Sequence, residues 1–215
     1  MTDLSFEAMR RAMVESQLRT TGVSDARVVA AMATVPRERF VPAERHALAY
    51  MDRPIALGGG RELNLPEATG KLLTAAQIGP DDHILVVGAG SGYTAALAAE
   101  LARSVVALEE NEALAEAAET AVAGRVQLVR GALVEGWAAA APYDVVLIDG
   151  LVEHVPDALP AQLADGGRLA CAILDRGASR LAIGRKTGAA FGLDLFADCE
   201  ASPLPGFAKP KTFVF

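Results

Sequence analysis

The apolar positions of this chain fall into two rhythms. From residue 83 onward, short, mostly apolar runs alternate with longer segments that favour helix. The runs at 83–87, 104–108, 125–129, 143–148 and 167–174 predict strands buried on both faces. The segments between them, 93–102, 111–122, a short stretch at 134–139 and 156–164, predict helices. Strand and helix in strict alternation imply a mostly parallel, doubly wound sheet with helices on both sides. Beyond 174 the rhythm changes. Arg180–Lys186, Phe191–Asp198 and Thr212–Phe215 read as strands separated by Gly and Pro, which predicts antiparallel pairing at one edge.

The first third is different. Residues 6–19 predict a helix with Met9, Met13 and Leu18 among its apolar positions, broken near Gly22. Ser24 or Asp25 can cap a second helix running to Thr34, with Val28, Val29 and Met32 inward. Val35-Pro36 ends it, because the residue before proline resists the helical region. A proline-bounded connector, 36–42, and a long loop, 50–66, with three consecutive glycines follow. Glu67 to Gln77 predicts another helix. The expectation is one domain over 1–215, with N-terminal helices and loop in 1–66 and an α/β core in 67–215.

The candidate chemistry starts at Ile84-Leu85-Val86-Val87-Gly88-Ala89-Gly90-Ser91-Gly92-Tyr93. A strand that ends in alternate glycines and passes into a helix brings bare backbone against a nucleotide-like ligand. Glu109 closes the next strand, 19 residues beyond Gly90, about where an acid meets ribose hydroxyls in such a unit. A dinucleotide site would need a further glycine where Tyr93 stands, so an adenosine ligand without phosphates fits better, S-adenosylmethionine foremost. The competing interpretation is a glycine turn that only packs.

Composition narrows the partners. The formal charge is −7, and Arg10, Arg11 and Arg19 are too sparse for a phosphate-binding patch, so nucleic acid is not expected. Cys171 and Cys199 form no Cys-x-x-Cys, and His46, His83 and His154 are scattered, so no metal is expected and the thiols read as reduced and cytosolic. No signal-peptide pattern and no apolar run of membrane-spanning length occurs, which points to a cytoplasmic location with no membrane association.

Several further segments carry a resemblance. They are Met13-Val14-Glu15-Ser16-Gln17-Leu18, Asp25-Ala26-Arg27-Val28, Val35-Pro36-Arg37-Glu38-Arg39-Phe40-Val41-Pro42, Ala49-Tyr50-Met51-Asp52-Arg53-Pro54, the 58–66 loop, the glycine turn, and Gln162-Leu163 with Gly166-Gly167-Arg168-Leu169. Over roughly residues 9–174 the chain resembles the protein-L-isoaspartate O-methyltransferases. The resemblance implies a Rossmann-like methyltransferase fold and transfer of a methyl group from S-adenosylmethionine to the carboxylate of isoaspartyl residues in damaged proteins, leaving S-adenosylhomocysteine. It places the cofactor at Gly88, Ala89, Gly90, Ser91, Gly92, Glu109, Glu110, Gly131, Ala132 and Asp149. It places the substrate at Gly60, Arg61, Leu63, Asn64, Leu65 and Pro66, with Asn64 in the catalytic position. It does not imply an oligomeric state.

The departures matter equally. Where the family typically reads Gln-Thr-Ile-Ser-Gln-Pro, this chain reads Arg61-Glu62-Leu63-Asn64-Leu65-Pro66. Val86 and Ala132 stand where the family usually carries acids. Asn64 keeps an amide donor and Arg61 can attract an anion, whereas Glu62 would repel one. Asp149 reads as close to the cofactor or as a cap, His154 as a solvated loop residue, and Trp137 as a packed aromatic near the adenine side. Two alternatives therefore stand beside the first expectation: a methyltransferase with another substrate, and a non-catalytic relative that keeps the fold for binding.

Overall fold

The computed structural model describes residues 5–122 and 124–209. Helix α1 (Phe6–Met13) starts at Ser5, whose hydroxyl accepts from the Ala8 N–H at 3.3 Å. The helical path continues through a π turn, Val14–Leu18, and a 3-10 turn, Arg19–Thr21, and stops at Gly22 with φ +93°. Helix α2 (Ala26–Thr34) is capped by Asp25, whose carboxylate accepts from Arg27 and Val28. Val35 leaves the helix in the extended region, as the following proline requires. The connector that follows winds into a 3-10 turn, Arg37–Phe40.

The segment 50–66 is not a free loop. It contains a hairpin of strands β1 (Ile55–Gly58) and β2 (Arg61–Leu63), antiparallel with Ile55 opposite Leu63. Both of those side chains are buried in the core and anchor the hairpin. Gly58, Gly59 and Gly60 all have positive φ, so the glycine run builds a defined turn rather than slack.

Helix α3 (Pro66–Ala76) opens with its proline at the favoured first turn. Strand β3 (His83–Val87), helix α4 (Tyr93–Leu101), strand β4 (Ser104–Glu109), helix α5 (Glu112–Val122) and strand β5 (Gln127–Arg130) follow. Two 3-10 turns, Leu133–Glu135 and Ala138–Ala140, lead into β6 (Tyr143–Val152). Helix α6 (Ala158–Ala161), β7 (Leu163–Asp175), β8 (Ala178–Thr187) and β9 (Ala190–Asp198) complete the described order. The expected helix over 156–164 is reduced to these four residues. Gln162 is drawn into the sheet instead, its carbonyl accepting from the Tyr143 N–H at 2.9 Å. The expected strand at Thr212–Phe215 lies outside the described residues.

The seven-stranded sheet has the order β5-β4-β3-β6-β7-β8-β9. Strands β3 to β7 pair in parallel, and β7, β8 and β9 pair antiparallel at one edge. Alternate residues of β3 supply two cores. Ile84 and Val86 join the N-terminal helices, α3 and α4, while Leu85 and Val87 join α6, Leu204 and Phe207. This two-sided burial explains the unbroken apolar run. After β3 the chain turns one way to β4 and β5, then crosses back to β6 and β7. That reversal opens a crevice at the carboxyl ends of β3 and β6, the usual ligand position in open α/β sheets.

Candidate cofactor and substrate site

The glycine turn closes directly on Glu109. Gly88, Gly90 and Gly92 take φ of +75°, +56° and +96°, a region that side chains resist. The N–H groups of Gly88 and Ala89 both donate to the Leu108 carbonyl, at 2.9 and 3.1 Å. Gly90 donates to Glu109 Oε2 at 2.7 Å, and Glu110 and Asn111 donate to Oε1 at 3.1 and 3.0 Å. Three backbone donors thus hold one carboxylate beneath the turn.

A fourth donor comes from the hairpin. Arg61 Nη1 meets Glu109 Oε1 at 2.9 Å, and Nη2 donates to the Gly88 carbonyl at 3.0 Å. Arg61 is 6% exposed and Glu109 0%. A Cβ at Gly90 would lie 3.3 Å from Leu57 of the same hairpin, and one at Gly88 would lie 3.0 Å from Leu204. Leu204 also fills the space over Gly150, where a Cβ would meet its Cγ at 2.6 Å. The segment carrying Leu204 is strapped to β6 by Leu151 N–H to Ser202 O at 2.8 Å and Leu204 N–H to Leu151 O at 2.9 Å.

Behind the hairpin lies a polar cluster. Asn64 Nδ2 donates to Asp149 Oδ1 at 2.8 Å, and Asn64 Oδ1 accepts from the Ser202 N–H at 3.3 Å. Arg37, fully buried, donates to the carbonyls of Ala49 at 2.8 Å and Asn64 at 2.5 Å, and its guanidinium lies 4.7 Å from the Tyr93 ring centroid. Burial lowers the Arg37 pKa and raises those of Tyr93 and Asp149. For Asp149, donation from Asn64 and the nearby Arg61 and Arg37 charges oppose the rise.

The Asp149 shift has a pH signature. An acid whose folded pKa exceeds its unfolded one binds its proton more tightly when folded. Its contribution to stability is therefore lost as pH rises from the ordinary carboxylate range, near 4, to the raised native value. Relative to Asp149→Asn, the wild-type protein should lose stability with increasing pH across that window in denaturant melts. A difference independent of pH would contradict the assignment.

The expected site residues divide clearly. Gly88, Ala89, Gly90, Gly92 and Glu109 come together at the rim, with Asp149 and Asn64 beside them. Ser91 turns away and donates to the Phe40 carbonyl at 2.5 Å. Glu110 is exposed and contributes its N–H to Glu109. Gly131 packs beside Trp137 and Ala132 is exposed, so neither brings a polar side chain to the rim. Gly60 is an exposed turn residue, Leu63 belongs to the core, and Pro66 begins α3. Leu65 lines a cleft of about 220 Å³ with Glu67, Lys71 and Cys199. Arg61 was expected to face an anionic substrate; it points inward instead, because the buried Glu109 carboxylate is the stronger partner. His154 is not simply solvated: its Nδ1 meets the Phe207 carbonyl at 3.1 Å. Arg37, Tyr93, Ser202 and Leu204 were not anticipated. Arg37 stands with Glu38 and Arg39 in the proline-bounded segment 36–42, and nothing local sets it apart as the buried one.

Residues 8–197 match the family model described as protein-L-isoaspartate(D-aspartate) O-methyltransferase. The chain belongs to this family. A relative from Koribacter versatilis, named protein-L-isoaspartate O-methyltransferase, is 38% identical over 209 residues, 95% of this chain and 94% of its own. Another, protein-L-isoaspartate O-methyltransferase 1 from Rhodopseudomonas palustris, is 40% identical over 82% of this chain and 74% of its own. Among solved structures, a candidate family member from Plasmodium falciparum in complex with S-adenosyl-L-homocysteine superposes with a TM-score of 0.78 at 18% identity. It covers 89% of this chain and 96% of its own length, and supports the fold.

The family's cofactor can be tested against these residues. The backbone fits: bare glycines and a carboxylate held by three N–H groups form a cradle at the sheet's switch point. The side chains close it, since Arg61 and Leu204 stand against Gly88 and Arg61 occupies Glu109.

Proposed function

We propose that this chain is an S-adenosylmethionine-dependent methyltransferase acting on the carboxylate of isoaspartyl residues in proteins or peptides. The observation that carries the reading is the Gly90–Glu109 hydrogen bond within a chain that matches the family from residue 8 to 197. The cofactor, when bound, supplies a methyl group on a positively charged sulfur. The accepting carboxylate is already ionised at neutral pH, so the protein needs no strong base and works by alignment. Glu109 and the glycine turn would hold the adenosyl side, and Asn64, buried and tied to Asp149 and the Ser202 N–H, would position the substrate side from behind the hairpin. No described helix is long and apolar enough to cross a membrane.

The test is a transfer assay with methyl-labelled cofactor and paired peptides that differ only in an isoaspartyl or aspartyl linkage. Base-labile label on the isoaspartyl peptide alone is the expected result. Label on neither peptide, with cofactor binding intact, would move the reading to another substrate. The Arg61–Glu109 pair favours a second reading, a non-catalytic relative; absence of both transfer and cofactor binding in the wild-type protein and in Arg61→Ala would support it.

A further inference from the structure

We infer that the β1–β2 hairpin is a built-in competitor for the cofactor seat, with the Arg61 guanidinium taking the place on Glu109 that ribose hydroxyls would occupy. The inference rests on the cofactor reading above and adds the regulation of that site.

Four observations converge on one hairpin. Arg61 bridges Glu109 Oε1 and the Gly88 carbonyl, the two polar groups at the mouth of the glycine turn. Leu57 lies over Gly90, where a ligand backbone contact would form. The turn residue Gly59 sits against Asn111, just beyond the end of β4, where a Cβ would meet Nδ2 at 2.8 Å. The tip, residues 58–60, is exposed, so the hairpin lies across the rim from outside rather than growing through it.

The chemistry makes the two occupants exclusive. Glu109 has no exposure while the Arg61 guanidinium sits on Oε1, so a hydroxyl has no approach to the carboxylate, although Oε2 accepts only from Gly90 and keeps acceptor capacity for one. Withdrawal of Arg61 leaves the carboxylate oriented by the three N–H donors of its own turn and strand end, an intact seat. Arg61 would exchange a buried ion pair for water, and ribose would then replace it. A closed state favoured ten- to a hundredfold over the open one weakens apparent cofactor affinity by about the same factor.

The test compares titration calorimetry of the wild-type protein and Arg61→Ala with S-adenosylhomocysteine. The variant should bind at least about tenfold more tightly. Equal affinity would overturn the inference and leave the cofactor reading intact. Binding by neither protein at millimolar ligand would overturn both. Should Arg61→Ala fold poorly, hydrogen exchange in the wild-type protein decides the matter. Saturating S-adenosylhomocysteine should increase exchange across Ile55–Leu63, whereas unchanged or greater protection of the hairpin would refute the inference.

Discussion

Glu109→Ala should destabilise the protein by about 3–5 kcal/mol, the cost of leaving a buried charge without its partner. The side chain has no exposure and ties together elements far apart in sequence: the glycine turn through Gly90, the end of β4 through Glu110 and Asn111, and the hairpin through Arg61. Its removal strands the Arg61 guanidinium and three N–H donors at once. For a chain of this size each kcal/mol lowers the melting temperature by about 2–4 °C, so a fall of roughly 6–20 °C is expected in thermal melts. The paired variant Glu109→Ala with Arg61→Ala should be less destabilised than the sum of its parts, because the stranded charge goes too. A loss below about 1 kcal/mol in the single variant would show that the carboxylate is not the structural joint described here.

Arg37→Ala should be comparably damaging for a different reason. Among the described residues no carboxylate touches Arg37; it donates to the carbonyls of Ala49 and Asn64 and stacks on Tyr93, in full burial. Truncation opens a cavity the size of a long side chain and leaves two buried acceptors unpaired. Large-to-small changes of this kind cost about 2–5 kcal/mol, and each lost partner adds to the penalty. The Asn64 carbonyl would lose its anchor, so its amide would no longer be fixed against Asp149. Arg37→Met restores most of the volume without the donors. It should recover part of the stability in denaturant melts while transfer activity stays low. Wild-type activity in Arg37→Met would contradict the positioning role.

These two residues also mark where the sequence was legible. The parallel core could be read because the central runs at 84–87, 105–108 and 145–148 are buried on both faces, which removes polar interruption from those strands. The glycine turn and Glu109 could be read because their spacing is local and each needs a particular backbone or charge. Arg61 could not. Its residue type suggested a substrate-facing cation, and its partner lies 48 residues away, across a hairpin whose existence depends on Ile55 and Leu63 finding the core together. Arg37 was hidden likewise, since nothing local signals a buried guanidinium fed by carbonyls from two other segments. Leu204 reaches Gly88 from beyond the edge strands, where periodicity had weakened. The four-residue α6 was overestimated because apolar spacing continues through 156–164 while the Tyr143–Gln162 hydrogen bond turns the chain into the sheet.

The central claim is that the glycine turn and Glu109 form a cofactor seat closed by this chain's own hairpin. A crystal structure grown with saturating S-adenosylhomocysteine tests it most directly. The account predicts ribose hydroxyls on the Glu109 carboxylate, the adenosyl group along Gly88–Gly92, and the Arg61 guanidinium displaced from both. Ligand bound elsewhere while Arg61 still holds Glu109, or a crystal containing no ligand despite saturation, would contradict it.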